Sequence, residues 1–225
     1  MDVVGAFIGI DGFQVHQVAD DVKLSMHDRC IWSNLGKPGF RPGKAGSKGI
    51  FKMGGPSRSK LSSTDLQQRL GAVKLLSLDV DGVLTDGGLY FTDDGSQLRK
   101  FNVKDGEGIK RLLEAAVEVV IISAGQAKSI LKRGESLGLE HVFIGVEDKL
   151  AALSALCSEL AMELADVAHM GDDLNDLSVL EAVGLPLSVA DAMPEVRKRA
   201  LYVTERGGGE GAVREICDLL LAARK

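Results

Sequence analysis

The stretch Leu75-Leu76-Ser77-Leu78-Asp79-Val80-Asp81-Gly82-Val83-Leu84-Thr85-Asp86 constrains the fold more than any other part of the chain. An apolar run ends abruptly in two aspartates one residue apart, and a glycine then lets the backbone turn. A buried strand of an open α/β sheet delivers its functional side chains at its carboxyl end, where the ligand crevice lies. Carboxylates two apart in a strand point the same way, which suits a shared cation and a shared reacting group. One aspartate can attack phosphorus and form an aspartyl-phosphate while a second acid moves the proton. The same residues also suit an ordinary strand followed by an Asx-rich turn. The rest of the chain decides.

Leu-driven helices alternate with short β-branched runs, and further runs also end in residues able to handle phosphate. Val119-Val120-Ile121-Ile122 ends in Ser123, and Lys149 opens a helix just after Val142-Phe143-Ile144-Gly145. Val167-Ala168-His169-Met170 runs into Gly171-Asp172-Asp173-Leu174-Asn175-Asp176. In chain order the strand ends offer Asp-x-Asp, Ser, Lys and Gly-Asp-Asp-x-x-Asp. This set resembles the motifs of the haloacid dehalogenase-like phosphohydrolases, from about residue 72 to the end. The predicted fold is α/β: a doubly wound, Rossmann-like, mostly parallel sheet flanked by helices.

Composition narrows the class. A chain of 225 residues is long enough for a full core. Its net charge of −5 gives no reason to expect a nucleic-acid partner. Cys30, Cys157 and Cys217 have no metal-site or disulfide-framework spacing; Cys157 and Cys217 read as small core residues. No apolar run reaches the ~20 residues of a membrane span, so the expected setting is the cytoplasm with no membrane partner.

Residues 1–70 read as a poorly ordered, basic, Gly-rich extension, and 71–225 as the phosphatase domain. Lys37, Arg41, Lys44, Lys48, Lys52, Arg58 and Lys60 occur in a segment with no acid and no helical or strand period. Such a segment buries too little apolar surface to offset its chain entropy. Met53 is an alternative start, and Val3 to Val18 is apolar enough for a strand or two. Ser62-Ser63-Thr64-Asp65 is a helix start signal leading into Leu66–Leu70 and the first core strand. Beyond it, Asp105 is expected to cap Gly106–Val117, and Gln126–Leu137 to stop at Gly138. Lys149–Leu164, Asp173–Val183 and about Gly211 to Ala223 complete the helices.

Between Asp81 and Ser123 there is room only for one helix and a projecting β-hairpin. The hairpin pairs Leu89-Tyr90-Phe91 with Leu98 to Val103 around Asp93-Asp94-Gly95. Between Ser123 and Lys149 there is one helix and one strand, so no cap domain fits. The pattern is similar to the capless sugar-phosphate phosphatases typified by those for 3-deoxy-D-manno-octulosonate 8-phosphate. The residues that carry it run from Asp79 to Gly87, from Lys100 to Gly106, and through Arg133 with Leu137-Gly138-Leu139. Gly145, Asp148-Lys149, Gly171-Asp172-Asp173 and Gly207-Gly208-Gly209-Glu210-Gly211-Ala212-Val213-Arg214-Glu215 continue it.

The resemblance implies roles. Asp79 is the nucleophile and Asp81 the acid that protonates the leaving oxygen and then deprotonates water. Mg2+ is held by Asp79, Asp172 and the main-chain carbonyl of Asp81. Asp173 assists through water, and Asp176 orients Lys149 or the metal shell. Ser123 hydrogen-bonds a phosphoryl oxygen, and Lys149 neutralises charge in the transition state. Gly207, Gly208 and Gly209 close over the substrate, and a homotetramer joined through the hairpins roofs the site. The implied substrate is 3-deoxy-D-manno-octulosonate 8-phosphate. One departure bears on it: Ser123-Ala124-Gly125 stands where these phosphatases usually read Thr-Gly-Arg. A nine-carbon sugar-acid 9-phosphate is therefore the alternative substrate, and Arg133 a replacement cation with a solvated helix face as its plainer role. His141 and His169 read as packing or hydrogen-bonding residues. Two other readings are a receiver domain, disfavoured by motif order, and a catalytically weak tetramerisation module.

Overall fold

Apolar runs with no polar alternation become the strands of a parallel sheet covered on both sides. The computed structural model describes Gln14–His16 and residues 62–224, which belong to one compact unit. The strands are β1 (Gln14–His16), β2 (Leu75–Leu78), β3 (Tyr90–Phe91), β4 (Gln97–Leu98), β5 (Glu118–Ile122), β6 (His141–Phe143), β7 (Val167–Gly171), β8 (Leu185–Ser188) and β9 (Tyr202–Val203). Seven of them form one sheet in the order β1-β6-β5-β2-β7-β8-β9, and every pairing in it is parallel. The helices are α1 (Ser63–Ala72), α2 (Val103–Glu114), α3 (Lys128–Leu137), α4 (Lys149–Glu159), α5 (Leu177–Ala182), α6 (Pro194–Arg199) and α7 (Ala212–Ala222).

Alternation along β2 and β5 splits the core in two. Leu76, Leu78, Val119 and Ile121 pack with Ile109 of α2, Ile130 of α3 and Ile216 of α7. Leu75, Val120 and Ile122 face the other way, against Leu153, Leu156 and Cys157 of α4 and Val179 of α5. The near-continuous apolar runs follow from this double cover. Cys157 and Cys217 are buried free thiols, as expected. Among the described residues no helix is long and apolar enough to cross a membrane.

Several boundaries differ from the sequence reading. Ordered structure begins before residue 71: α1 is helical from Ser63, with Ser62 Oγ accepting from Asp65 N, and Leu70 is buried. Gln14–His16 pairs in parallel with β6 at the sheet edge. The basic stretch, Met53, Cys30 and Trp32 lie outside the described residues. Asn102, not Asp105, caps α2, its side chain accepting from Lys104 N. Asp105 is instead buried one turn in and accepts from the Arg214 backbone N–H. The hairpin is correspondingly shorter, since β4 ends at Leu98 and Val103 already starts the helix. The α4 helix stops at Glu159 because the chain turns at Ala161, a residue at positive φ. The predicted Asp173–Val183 helix resolves into a 3-10 turn, Leu174–Asp176, followed by α5.

Candidate active site

The β5-β2-β7 order brings the predicted motif ends side by side. Leu78 lies opposite Ile121 on one side and Met170 on the other, so the next residues of all three strands open onto one crevice. The chain is tied there by the Asp79 N–H, which donates to the Met170 carbonyl at 3.1 Å. Oxygens of Asp79, Asp172 and Asp176 gather within 4.8 Å of one another. Lys149 enters from the start of α4, on the sheet face shared with Leu75. Its Nζ lies 2.8 Å from Asp79 Oδ2 and 2.7 Å from Asp176 Oδ1. Two of the three clustered carboxylates pair with one ammonium, leaving a local negative excess.

The oxygens are not equally engaged. Asp79 Oδ1 accepts from Val80 N, and Oδ2 meets Lys149. Asp176 is fully subscribed: Oδ1 takes Lys149 and sits 3.3 Å from His169 Nε2, while Oδ2 accepts from Asp172 N and Asp173 N. Asp172 Oδ1 is buried with no hydrogen-bond partner. A buried, unsatisfied carboxylate oxygen is costly, and a cation shared by Asp79 and Asp172 would satisfy it. The donor set fits a hard, oxygen-seeking divalent ion such as magnesium. Asp176 is better placed as the group that holds Lys149 and the Asp172 backbone.

Titration follows the same division. Burial, followed by the Asp79 and Asp176 charges, pushes the Asp172 carboxyl up to about 7. Asp79 is also raised, first by burial and then by Asp176, although Lys149 opposes both. Burial alone would raise Asp176 too, but His169 and Lys149 outweigh it and hold the carboxyl far below the usual range. For Lys149, burial works against the charge, and the two aspartates more than restore it. The acid with the unpartnered buried oxygen is thus held protonated toward neutral pH, while Asp176, whose oxygens are fully engaged, stays ionised.

Two glycines make the cluster possible. Gly82 has φ +88°, and a Cβ there would lie 2.0 Å from Asp172 Oδ2. At Gly171 a Cβ would lie 2.4 Å from the Asp176 carboxyl carbon. Gly82→Ala should therefore displace Asp172 as well as strain the turn. Magnesium affinity, followed by isothermal calorimetry, should fall on the order of tenfold or more, a loss of roughly 1.4 kcal/mol. Unchanged affinity would mean that Asp172 does not bind metal from this position.

The remaining predicted residues divide. Ser123 is buried at the end of β5, its Oγ accepting from Gly125 N at 3.1 Å. Asp173 is exposed and caps its own turn by accepting from Leu174 N. Gly208 and Gly209 are buried against the loop that follows Asp81: Gly209 N donates to Val83 O, and a Cβ at Gly208 would lie 1.9 Å from Gly82 O. Gly207 adjoins Asp191, whose Oδ1 accepts from Gly208 N. Arg133 is not brought to the aspartates. Its guanidinium lies over the Phe101 ring at 5.4 Å and donates to Asn102 O, and burial lowers its pKa. This half-buried setting differs from a solvated helix face, and the Arg133 Nε is left without a hydrogen-bond partner.

One contributor, Arg99, lies outside the sequence reading, whereas His169 fulfils the hydrogen-bonding role expected of it. Arg99, at the foot of the hairpin, grips Asp81 through Nε–Oδ1 at 2.7 Å and Nη2–Oδ2 at 2.9 Å. His169, expected only to pack or hydrogen-bond, is the partner through which Ser77 Oγ connects to Asp176. His169 stands opposite Ser77 in the β2–β7 register, and Ser77 lies two residues before Asp79 in the chain.

A buried aspartate at the end of the central strand, a lysine from the following half and an acidic loop after β7 define a phosphohydrolase of the haloacid dehalogenase-like class. The profile of the haloacid dehalogenase-like hydrolases matches residues 139–216. The chain is 48% identical over 162 residues to the 3-deoxy-D-manno-octulosonate 8-phosphate phosphatase of Escherichia coli K12, covering 72% of this chain and 86% of that one. The Yersinia pestis phosphatase of that name has a crystal structure with TM-score 0.70 at 44% identity, over 71% of this chain and 86% of the other. The Moraxella catarrhalis structure, described in complex with a magnesium ion, a phosphate ion and a KDO molecule, aligns with TM-score 0.71 at 35% identity, over 72% and 94%. The chain belongs to the haloacid dehalogenase-like hydrolases. Within them it is a capless phosphatase of the group represented by the 3-deoxy-D-manno-octulosonate 8-phosphate phosphatases.

Proposed function

We propose that this phosphatase is magnesium-dependent and hydrolyses 3-deoxy-D-manno-octulosonate 8-phosphate through an aspartyl-phosphate on Asp79. The observation that carries the reading is the buried Asp79 held by Lys149 beside the unsatisfied Asp172 oxygen. A carboxylate oxygen of Asp79 attacks phosphorus, and the bond from phosphorus to the sugar oxygen breaks. Asp81 gives that oxygen its proton. Asp81 then takes a proton from water, whose oxygen attacks the aspartyl-phosphate and releases inorganic phosphate with Asp79 restored. Lys149 offsets charge spreading over the phosphoryl oxygens, and the Ser123 hydroxyl donates to one of them. When bound by Asp79, Asp172 and the Asp81 carbonyl, magnesium neutralises the acidic cluster and lets a second anion approach.

The choice of sugar is supported by relatives at 48% identity whose name carries that substrate. Gly125 gives the nine-carbon sugar-acid 9-phosphates a place beside it, because this chain has no side chain where the group usually has arginine. The paired acidic network argues against a catalytically weak assembly module. A homotetramer joined through the hairpin is part of the proposal: Tyr90, Phe91 and Leu98 are 58%, 65% and 54% exposed on β3 and β4. Such a cluster is suited to burial against other copies.

The test is phosphate release from a panel of sugar-acid phosphates, with magnesium and with EDTA. The octulosonate ester should turn over fastest, with activity lost in EDTA and restored by magnesium. Preference for a nine-carbon ester would move the assignment to that substrate. Turnover unaffected by EDTA would remove the metal from the mechanism.

A further inference from the structure

Asp81 enters the proposed reaction twice, once as acid and once as base, so the placement of its carboxylate sets both steps. Among the described residues, the hydrogen bonds of that carboxylate run to Arg99, which lies 18 residues further along the chain. Arg99 follows β4 directly, on the hairpin limb that returns toward α2. Its Nε and Nη2 bond separate oxygens of Asp81 at 2.7 and 2.9 Å, which are charge-assisted lengths in a bidentate arrangement. A fork of this kind fixes the plane of the carboxylate as well as its position, which a point charge does not. Each oxygen also keeps a second lone-pair position, which can hold the proton that Asp81 gives as acid and takes back as base.

The second observation comes from β5. A Cβ placed on Gly125 would lie 3.1 Å from Arg99 Nη2 and 3.2 Å from Asp81 Oδ2. The backbone cannot easily retreat, because Gly125 N donates to Ser123 Oγ and Gly125 O accepts from Gly145 N. A side chain at position 125 would therefore crowd the Arg99–Asp81 pair by a few tenths of an ångström. Resting on the phosphatase reading above, we infer that Arg99 is the positioning residue for Asp81, with Gly125 keeping its place open. The hairpin then has a second role: its base orients the acid while its apolar strands face outward.

Leaving-group dependence separates this role from a merely structural one. A sugar oxygen needs a proton as it departs, whereas p-nitrophenolate leaves without one. The kcat/KM value reports events up to formation of the aspartyl-phosphate, before Asp81 acts as base. Arg99→Ala should lower kcat/KM for 3-deoxy-D-manno-octulosonate 8-phosphate on the order of 10- to 100-fold, part of what general acid catalysis supplies. The loss with p-nitrophenyl phosphate should be at least about fivefold smaller, because proton delivery contributes little to that ester. Arg99→Lys should recover part of the loss, since it keeps the charge and gives up the fork. Gly125→Ala should show the same selective loss in milder form.

Equal losses on both esters would overturn the inference, because they would mean damage to phosphate binding or to the fold. Undiminished kcat/KM for the sugar ester in Arg99→Ala would overturn it as well. If the wild-type protein hydrolysed neither ester, the reaction assigned above would fall first and this inference with it.

Discussion

Asp79→Asn should abolish turnover while leaving the protein folded. Asp79 ends the central strand, buried between the Val80 N–H and the Lys149 ammonium. Asparagine has nearly the same shape, so the apolar core beneath it is undisturbed. An amide oxygen is too poor a nucleophile to form the acyl-phosphate, and losses on the order of 10⁴-fold or more follow when a nucleophile is removed. There is also a local cost. Both Asp79 oxygens accept hydrogen bonds, so the amide NH2 must face a donor, at roughly 1–3 kcal/mol. Removing one of several crowded negative charges offsets part of that. The experiment is phosphate release by the purified variant, together with acid quenching of the wild type to trap labelled phosphoenzyme. Appreciable turnover by Asp79→Asn, or a label on another residue, would displace Asp79 from its role.

Much of this site could be read from the chain because each motif sits where an unbroken apolar run stops. Asp79, Ser123 and Asp172 are all first or second residues beyond a strand, and parallel neighbours place such residues together without further instruction. Strands with a weaker signal were lost. β8 contains Pro186, which removes a ladder donor and breaks the β-branched pattern. It survives beside β7 because β9 is short and pairs only with Leu187 and Ser188. The cap of α2 is ambiguous in the sequence because Asp105 and Asn102 are both good capping residues; in the fold Asn102 accepts from Lys104 N while Asp105 is taken by the Arg214 N–H. Arg99 could not be foreseen, since its pairing with Asp81 depends on how the hairpin folds back and on space left by Gly125. For the same reason Arg133 reads as a solvated residue of a helix face, although its guanidinium packs on Phe101 and donates to Asn102 O. Contacts made by long side chains across a turn leave little trace in periodicity.

Asp172→Asn should push activity and stability in opposite directions. The Asp172 carboxyl has a buried oxygen without a partner, and burial with the Asp79 and Asp176 charges raises it from 3.8 to about 7. An acid whose folded pKa lies above its unfolded value holds its proton more tightly when folded. Its ionisation therefore costs no stability below about pH 4, costs progressively more as pH rises, and reaches full cost above about pH 7. The raised pKa would correspond to about 4 kcal/mol for a dry site, and solvent screening of this partly buried group reduces that to roughly 2 kcal/mol. The neutral isostere escapes the penalty. In EDTA, Asp172→Asn should melt about 4–8 °C above wild type at pH 7.5, a difference that closes toward pH 4.5. Magnesium should then reverse the ranking: wild type gains stability by binding the ion, and the variant, short of one anionic ligand, gains less. Catalysis should fall on the order of 10²-fold or more, because the metal no longer screens Asp79 from the phosphate. A variant less stable than wild type across the whole pH range in EDTA would mean that Asp172 is satisfied without a metal. Equal stabilisation of both proteins by magnesium would place the ion elsewhere.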